Sequence, residues 1–116
     1  MIVGRLLRLE GLALFVASIL LFAEFQGTWW VYAVFFLAPD VSMLGYLVNP
    51  RMGAAIYNLV HTYAVAIALI AAGYFLKSDV VLTAGIILLG HIGADRLLGF
   101  GLKYPTAFKD THLQRV

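Results

Sequence analysis

The chain has 116 residues, of which 63% are hydrophobic and only 12% charged, far below the roughly one quarter charged that soluble domains carry. A soluble helical bundle is excluded on a second ground, since stretches such as Ala64 to Leu76 carry no polar face at a period of 3.6 residues. The net charge of +2 comes from basic residues scattered singly near the ends of apolar stretches, which argues against a nucleic-acid partner and for membrane orientation.

Four apolar segments of the length that crosses a hydrocarbon core of about 30 Å follow one another: Leu6 to Phe25, Trp29 to Val48, Ala54 to Leu76 and Val80 to Phe100. A tail of residues 101–116 follows them. The breaks are short and hold the Gly, Pro, Asn and Asp residues that turns use: Gln26-Gly27-Thr28, Asn49-Pro50-Arg51-Met52-Gly53 and Lys77-Ser78-Asp79. Short turns make neighbouring helices antiparallel, so the sequence predicts an all-α integral membrane protein, a single domain over residues 1–116 built as an antiparallel four-transmembrane-helix bundle. No small-residue cleavage site follows the first segment, which is therefore expected to stay as a helix. With no cysteine, disulfides and thiolate metal sites are excluded.

In that topology Arg5, Arg8, Arg51, Arg96, Lys103, Lys109 and Arg115 fall on one side of the bilayer and only Lys77 on the other. The positive-inside rule then places both termini in the cytoplasm, as a multi-pass protein of the cell's inner (plasma) membrane. Trp29, Trp30 and Tyr32 are expected at the outer interface, with Tyr46, Tyr57 and Tyr104 at the inner one.

Ionisable groups inside a span are costly and face the bundle interior or a water-filled cavity. Counting in from each segment's cytoplasmic end at about 1.5 Å per residue puts Glu10 at roughly 6 Å, Asp40 at roughly 12 Å, His61 at roughly 10 Å and His91 at roughly 13 Å. They share one slab. His91 and Asp95 project from one helix face at i, i+4, and Asn58 and His61 share another. Gly85, Gly90, Gly93 and Ala94 thin the fourth segment so that these faces can meet, and Pro39 should distort the helix beside Asp40.

Two His and two Asp at one depth, without Cys, match the donor set of a divalent-metal site of Zn type. The candidate metal ligands are His61, His91, Asp95 and Asp40, with His112 joining them if the tail folds back as a lid, whereas the plainer reading leaves Asp110 and His112 on a solvated tail. Asp40 or Asp95 is the candidate catalytic base, and Asn58 is a candidate to support the cofactor or, equally, to hydrogen-bond between helices. Such a site could hydrolyse an ester, amide or phosphate of an amphiphilic substrate at the inner leaflet. The plainer reading makes His91 and Asp95 a self-satisfied pair, with Arg96 snorkelling to the headgroups. Three other classes remain open: haem held by His61 and His91 as a redox protein, proton-coupled transport along an Asp/His chain, and a non-catalytic assembly subunit. The bilayer is the obligate partner, and so small a bundle is expected to form a homo-oligomer.

The runs Leu37-Ala38-Pro39-Asp40-Val41-Ser42-Met43-Leu44-Gly45-Tyr46, Tyr57-Asn58-Leu59-Val60-His61-Thr62-Tyr63 and His91-Ile92-Gly93-Ala94-Asp95-Arg96 resemble the small bacterial membrane proteins grouped as domain of unknown function 4260. The resemblance extends over nearly the whole chain, including Gly101-Leu102-Lys103-Tyr104-Pro105 and Phe108-Lys109-Asp110-Thr111-His112. It implies a compact bacterial membrane protein and assigns no activity. A looser similarity, to membrane metal-dependent hydrolases that also carry H-x-x-x-D, favours the metal reading.

Overall fold

The computed structural model describes residues 2–102 together with Thr111 and Leu113. Helices account for most of that chain: α1 (Ile2–Glu24), α2 (Trp29–Phe35), a 3-10 segment (Ala38–Leu47), α3 (Pro50–Val60), α4 (Tyr63–Phe75) and α5 (Asp79–Leu98). Two of them, α1 and α5, are long and apolar enough to cross a membrane, and α3 with α4 makes a third candidate if the pair counts as one span bent by 41°. Four uninterrupted helices, the sequence expectation, are not what forms.

The first interruption has a local cause. Pro39 has no N–H to donate, α2 ends at Phe35, and the Asp40 N–H bonds the Leu37 carbonyl at 3.0 Å, the i to i−3 bond of a 3-10 turn. The expected distortion at Pro39 is therefore present, and it converts half of the predicted second helix into a tighter coil. In the third segment the helix ends at His61, whose φ of −100° and ψ of 23° leave the helical region, and α4 begins again after Thr62.

Elsewhere the turn chemistry works as read. Asn49 caps α3 by accepting the Met52 N–H at 2.7 Å with Pro50 in the first turn. Ser78 caps α5 through Val81 N–H at 3.3 Å. Gly99 closes α5 at a φ of +98°, a left-handed position where a side chain would be strained.

α5 is the central element, buried without a gap from Gly85 to Gly93. α1 and α4 pack on it, each through a stripe of small residues seven apart, Gly11 and Ser18 on α1 and Ala66 and Gly73 on α4. Backbones touch where those stripes cross: a Cβ on Gly93 would lie 2.6 Å from the Gly11 carbonyl oxygen, and one on Gly85 would lie 2.7 Å from the Ile70 nitrogen. Close approach of this kind is how helices gain van der Waals contact in lipid, where apolar burial gives little drive. The small residues of α5 thus act mainly against α1 and α4. Gly90 and Gly93 face α1, not the third segment as expected.

A buried polar link ties the same helices together. Ser18 Oγ donates to the Ile86 carbonyl at 2.6 Å and lies 2.9 Å from the Tyr32 hydroxyl. Tyr32 is consequently a core residue packed on Phe22 at 5.1 Å between ring centres, and the expectation of an interfacial Tyr32 is corrected. Large apolar side chains such as Leu9, Leu20, Leu47, Phe75 and Val80 point outward, the surface a bilayer would cover.

Gly93→Val should lower thermal stability in detergent by about 1–3 kcal/mol, because the new side chain meets backbone that cannot rotate away. Leu9→Val on the outer face of α1 serves as the control and should leave the melting temperature unchanged.

Candidate metal centre

Asp40, His61, His91 and Asp95 come together. Asp40 arrives in the first turn of the 3-10 segment, His61 at the break that ends α3, and His91 and Asp95 from successive turns of α5. One ligand-type atom from each lies within 4.8 Å of all the others. His61 Nε2 and His91 Nε2 are 3.1 Å apart. His91 Nε2 is 3.1 Å from Asp40 Oδ1 and 3.2 Å from Asp95 Oδ2, and His61 Nε2 is 3.5 and 3.6 Å from the same two oxygens. The imidazoles are 0% and 1% exposed, whereas the Asp95 and Asp40 side chains are 17% and 33% exposed, so the cluster opens on its carboxylate side.

Hydrogen bonding fixes what the cluster presents. His61 Nδ1 lies 2.9 Å from the Tyr57 carbonyl, which can only accept. The ring proton therefore sits on Nδ1, leaving a bare lone pair on Nε2. That lone pair looks at a second imidazole nitrogen and two carboxylate oxygens. A proton on His91 Nε2 or on a carboxylate relieves part of the repulsion, and a shared cation would relieve it at all four atoms at once. His91 Nδ1 is buried with no hydrogen-bond partner among the described residues, with the Phe36 carbonyl nearby.

Two further residues hold the arrangement. The Tyr57 ring stacks on His61 at 3.7 Å between centres and 7° between planes, and its hydroxyl is 3.5 Å from Asp95 Oδ2. Arg96 donates to the His61 carbonyl from Nη2 and to the Phe100 carbonyl from Nη1, both at 3.1 Å, with its guanidinium 5.5 Å above the Tyr63 ring. The break after His61 strips that carbonyl of its helical partner, and Arg96 supplies the replacement. Arg96 is 5% exposed, which overturns the expectation that it snorkels to the headgroups. Tyr57 is buried too, not interfacial. Sequence reasoning missed both roles, although Tyr57 precedes His61 by one helical turn and Arg96 adjoins Asp95.

The remaining candidates separate. Asn58 is half-buried on α3 and stands outside the four-residue cluster. Glu10, expected at a similar depth, is exposed on α1 and stands outside the cluster. Tyr104, Phe108, Asp110 and His112 lie outside the described residues, as does the side chain of Tyr46, whereas Thr111 and Leu113 are buried.

Fold and site together define a helical protein with helices long and apolar enough to span a membrane and a largely buried His/Asp cluster at the helix breaks. The chain belongs to the family called Domain of unknown function (DUF4260), which it matches over residues 4–116. No curated protein and no solved structure matches it.

Arg96→Met should cost about 1–3 kcal/mol in thermal unfolding, since the buried His61 carbonyl and the part-buried Phe100 carbonyl lose their donor. Arg96→Lys should recover only part of that, because one ammonium replaces a two-armed guanidinium. An unchanged melting temperature in Arg96→Met would show that the break does not depend on it.

Proposed function

We propose that Asp40, His61, His91 and Asp95 bind one divalent metal ion of Zn type within the membrane, and that the protein is a metal-dependent hydrolase of an amphiphilic substrate. The spacing of the donor atoms carries this reading. Bonds of about 2.0–2.2 Å directed to the corners of a tetrahedron separate neighbouring ligand atoms by about 3.3–3.6 Å. The five pairs that involve an imidazole nitrogen are 3.1 to 3.6 Å apart, and the two carboxylate oxygens lie within 4.8 Å of each other. Charge agrees with spacing, since a dication offsets two carboxylates in a place where unpaired anions are expensive. The outer contacts agree as well: His61 donates Nδ1–H to a carbonyl, the usual second partner of a metal-binding imidazole.

A bound divalent ion would supply an acidified water and polarise a carbonyl or phosphoryl oxygen. The chain's own residues do the rest. His61 and His91 are rigid donors on the closed side. Asp40, the most exposed of the four, faces incoming substrate and is the residue placed to release the ion and act as base, with Asp95 as the alternative. In the net reaction water adds across an ester, amide or phosphoester bond: its hydroxyl joins the acyl or phosphoryl centre, and its proton passes through the carboxylate to the leaving group.

The geometry disfavours haem. The two imidazoles are 5.0 Å apart between ring centres and inclined at 63°, with no room for a macrocycle between them. The basic residues favour an inner-membrane protein with cytoplasmic termini, in which the broken second and third segments complete an antiparallel four-segment bundle. The outward apolar surface favours a homo-oligomer.

Elemental analysis of detergent-purified protein should find one zinc per chain. His61→Ala or His91→Ala should weaken zinc by at least about 100-fold, beyond the about 10–100-fold of an outer-contact change, and neither preparation should show a Soret band. Binding should weaken on acidification, because protons compete for the imidazoles and carboxylates. Absence of metal from a folded wild-type protein, with none taken up on addition, would overturn the reading and leave transport or assembly.

A further inference from the structure

Beside the cluster lies a cavity of about 640 Å³ between α2, the start of the 3-10 segment, the end of α3, α4 and α5. That volume is within the range of about 300–1,000 Å³ typical of small-molecule sites. Its walls are apolar except for Asp79 and Thr83. Water there would find few of the two to four polar partners it needs. A ligand suited to this space is a hydrocarbon chain.

Three observations join the cavity to the site. Pro39, Val60 and Leu88 line it, and each lies on an element that carries a cluster residue: Pro39 precedes Asp40, Val60 precedes His61, and Leu88 is one turn before His91. Along α5 the lining residues Val80, Ala84, Ile87 and Leu88 form a stripe that His91 and Asp95 continue at i+3 and i+4 spacing. From Asp79 to Leu88 the cavity follows roughly 14 Å of that helix, directed away from the cluster. Its rim residues Phe35 and Val80 are 51% and 80% exposed on the outer apolar surface, so a chain can enter sideways from a bilayer without crossing water.

We infer that the cavity binds the acyl chain of a membrane lipid whose polar head is held at Asp40, His61, His91 and Asp95, which makes the substrate class an acyl lipid with a hydrolysable ester, amide or phosphoester near its head. The assignment of the head rests on the metal reading above. The seat of the chain does not.

The test uses the full chain in nanodiscs containing phosphatidylethanolamine with a diazirine near the end of one acyl chain, followed by photolysis and peptide mapping. Labelling should concentrate on α5 between Val80 and Leu88 and on Leu69 of α4. Ala84→Phe, which fills the cavity from α5, and Val31→Trp, which fills it from α2, should each reduce that labelling at least several-fold while retaining the wild-type melting temperature and zinc content. His91→Ala should lose zinc and keep the labelling, so failure of the metal reading and failure of this one are distinguishable. Labelling spread evenly over outward side chains such as Leu9 and Leu20, or unchanged in both filled variants, would overturn the inference. Labelling of the cavity only after a dimer is dissociated would also overturn it, by assigning the space to a second copy of the chain.

Discussion

Holding Asp40 and Asp95 against two imidazole nitrogens, with one oxygen from each Asp and one nitrogen from each His inside 4.8 Å, concentrates negative potential among largely apolar helices. Desolvation and mutual repulsion both oppose such an arrangement. Hydrophobic packing does not offset them, because an imidazole pair could be splayed apart and still be covered. The backbone instead enforces the convergence, through two helix breaks and one rigid central helix, and the electrostatic imbalance that results is what makes a cation the natural occupant.

Each break coincides with a cluster residue. The 3-10 run forced by Pro39 turns Asp40 inward, and the end of α3 at His61 lets its ring lie flat on Tyr57 while Nδ1 bonds the carbonyl of the preceding turn. Interrupted helices inside a membrane expose backbone groups that must find partners. Arg96 fills that need at the His61 carbonyl, and by doing so it also brings a positive charge into the field of Asp95. A single residue thus stabilises the irregular backbone and moderates the field of the site.

α5 explains why these demands are compatible. One side of it is thinned by Gly85, Gly90 and Gly93 so that α1 and α4 approach to backbone contact. Another carries the cavity stripe and then His91 and Asp95. A helix buried all round from Gly85 to Gly93 has no polar face to orient it, and its orientation comes from this division between small residues and site residues. Rigid seating of α5 is what places both of its cluster residues at once, and a shift of one turn would separate His91 from His61.

Composition, segment length and turn residues were enough to establish a helical membrane-type chain, because apolar length and the chemistry of Asn49-Pro50 and Ser78 act locally. The four cluster residues were legible as well, since ionisable groups at one depth in lipid have few reasons to be there. What the residues could not disclose was decided by tertiary contacts. Trp29 to Val48 reads as one helix in hydropathy, yet a proline and the packing of α3 against the 3-10 segment divide it. Tyr32, Tyr57 and Arg96 read as interfacial because each has an apolar body and a polar tip; only the assembled fold supplies the partners, Ser18, His61 and the carbonyls of His61 and Phe100, that draw them inside. Depth along a span is a one-dimensional property of the sequence, whereas the direction a side chain faces depends on how neighbouring helices rotate and bend, and that is fixed by contacts distant in the chain.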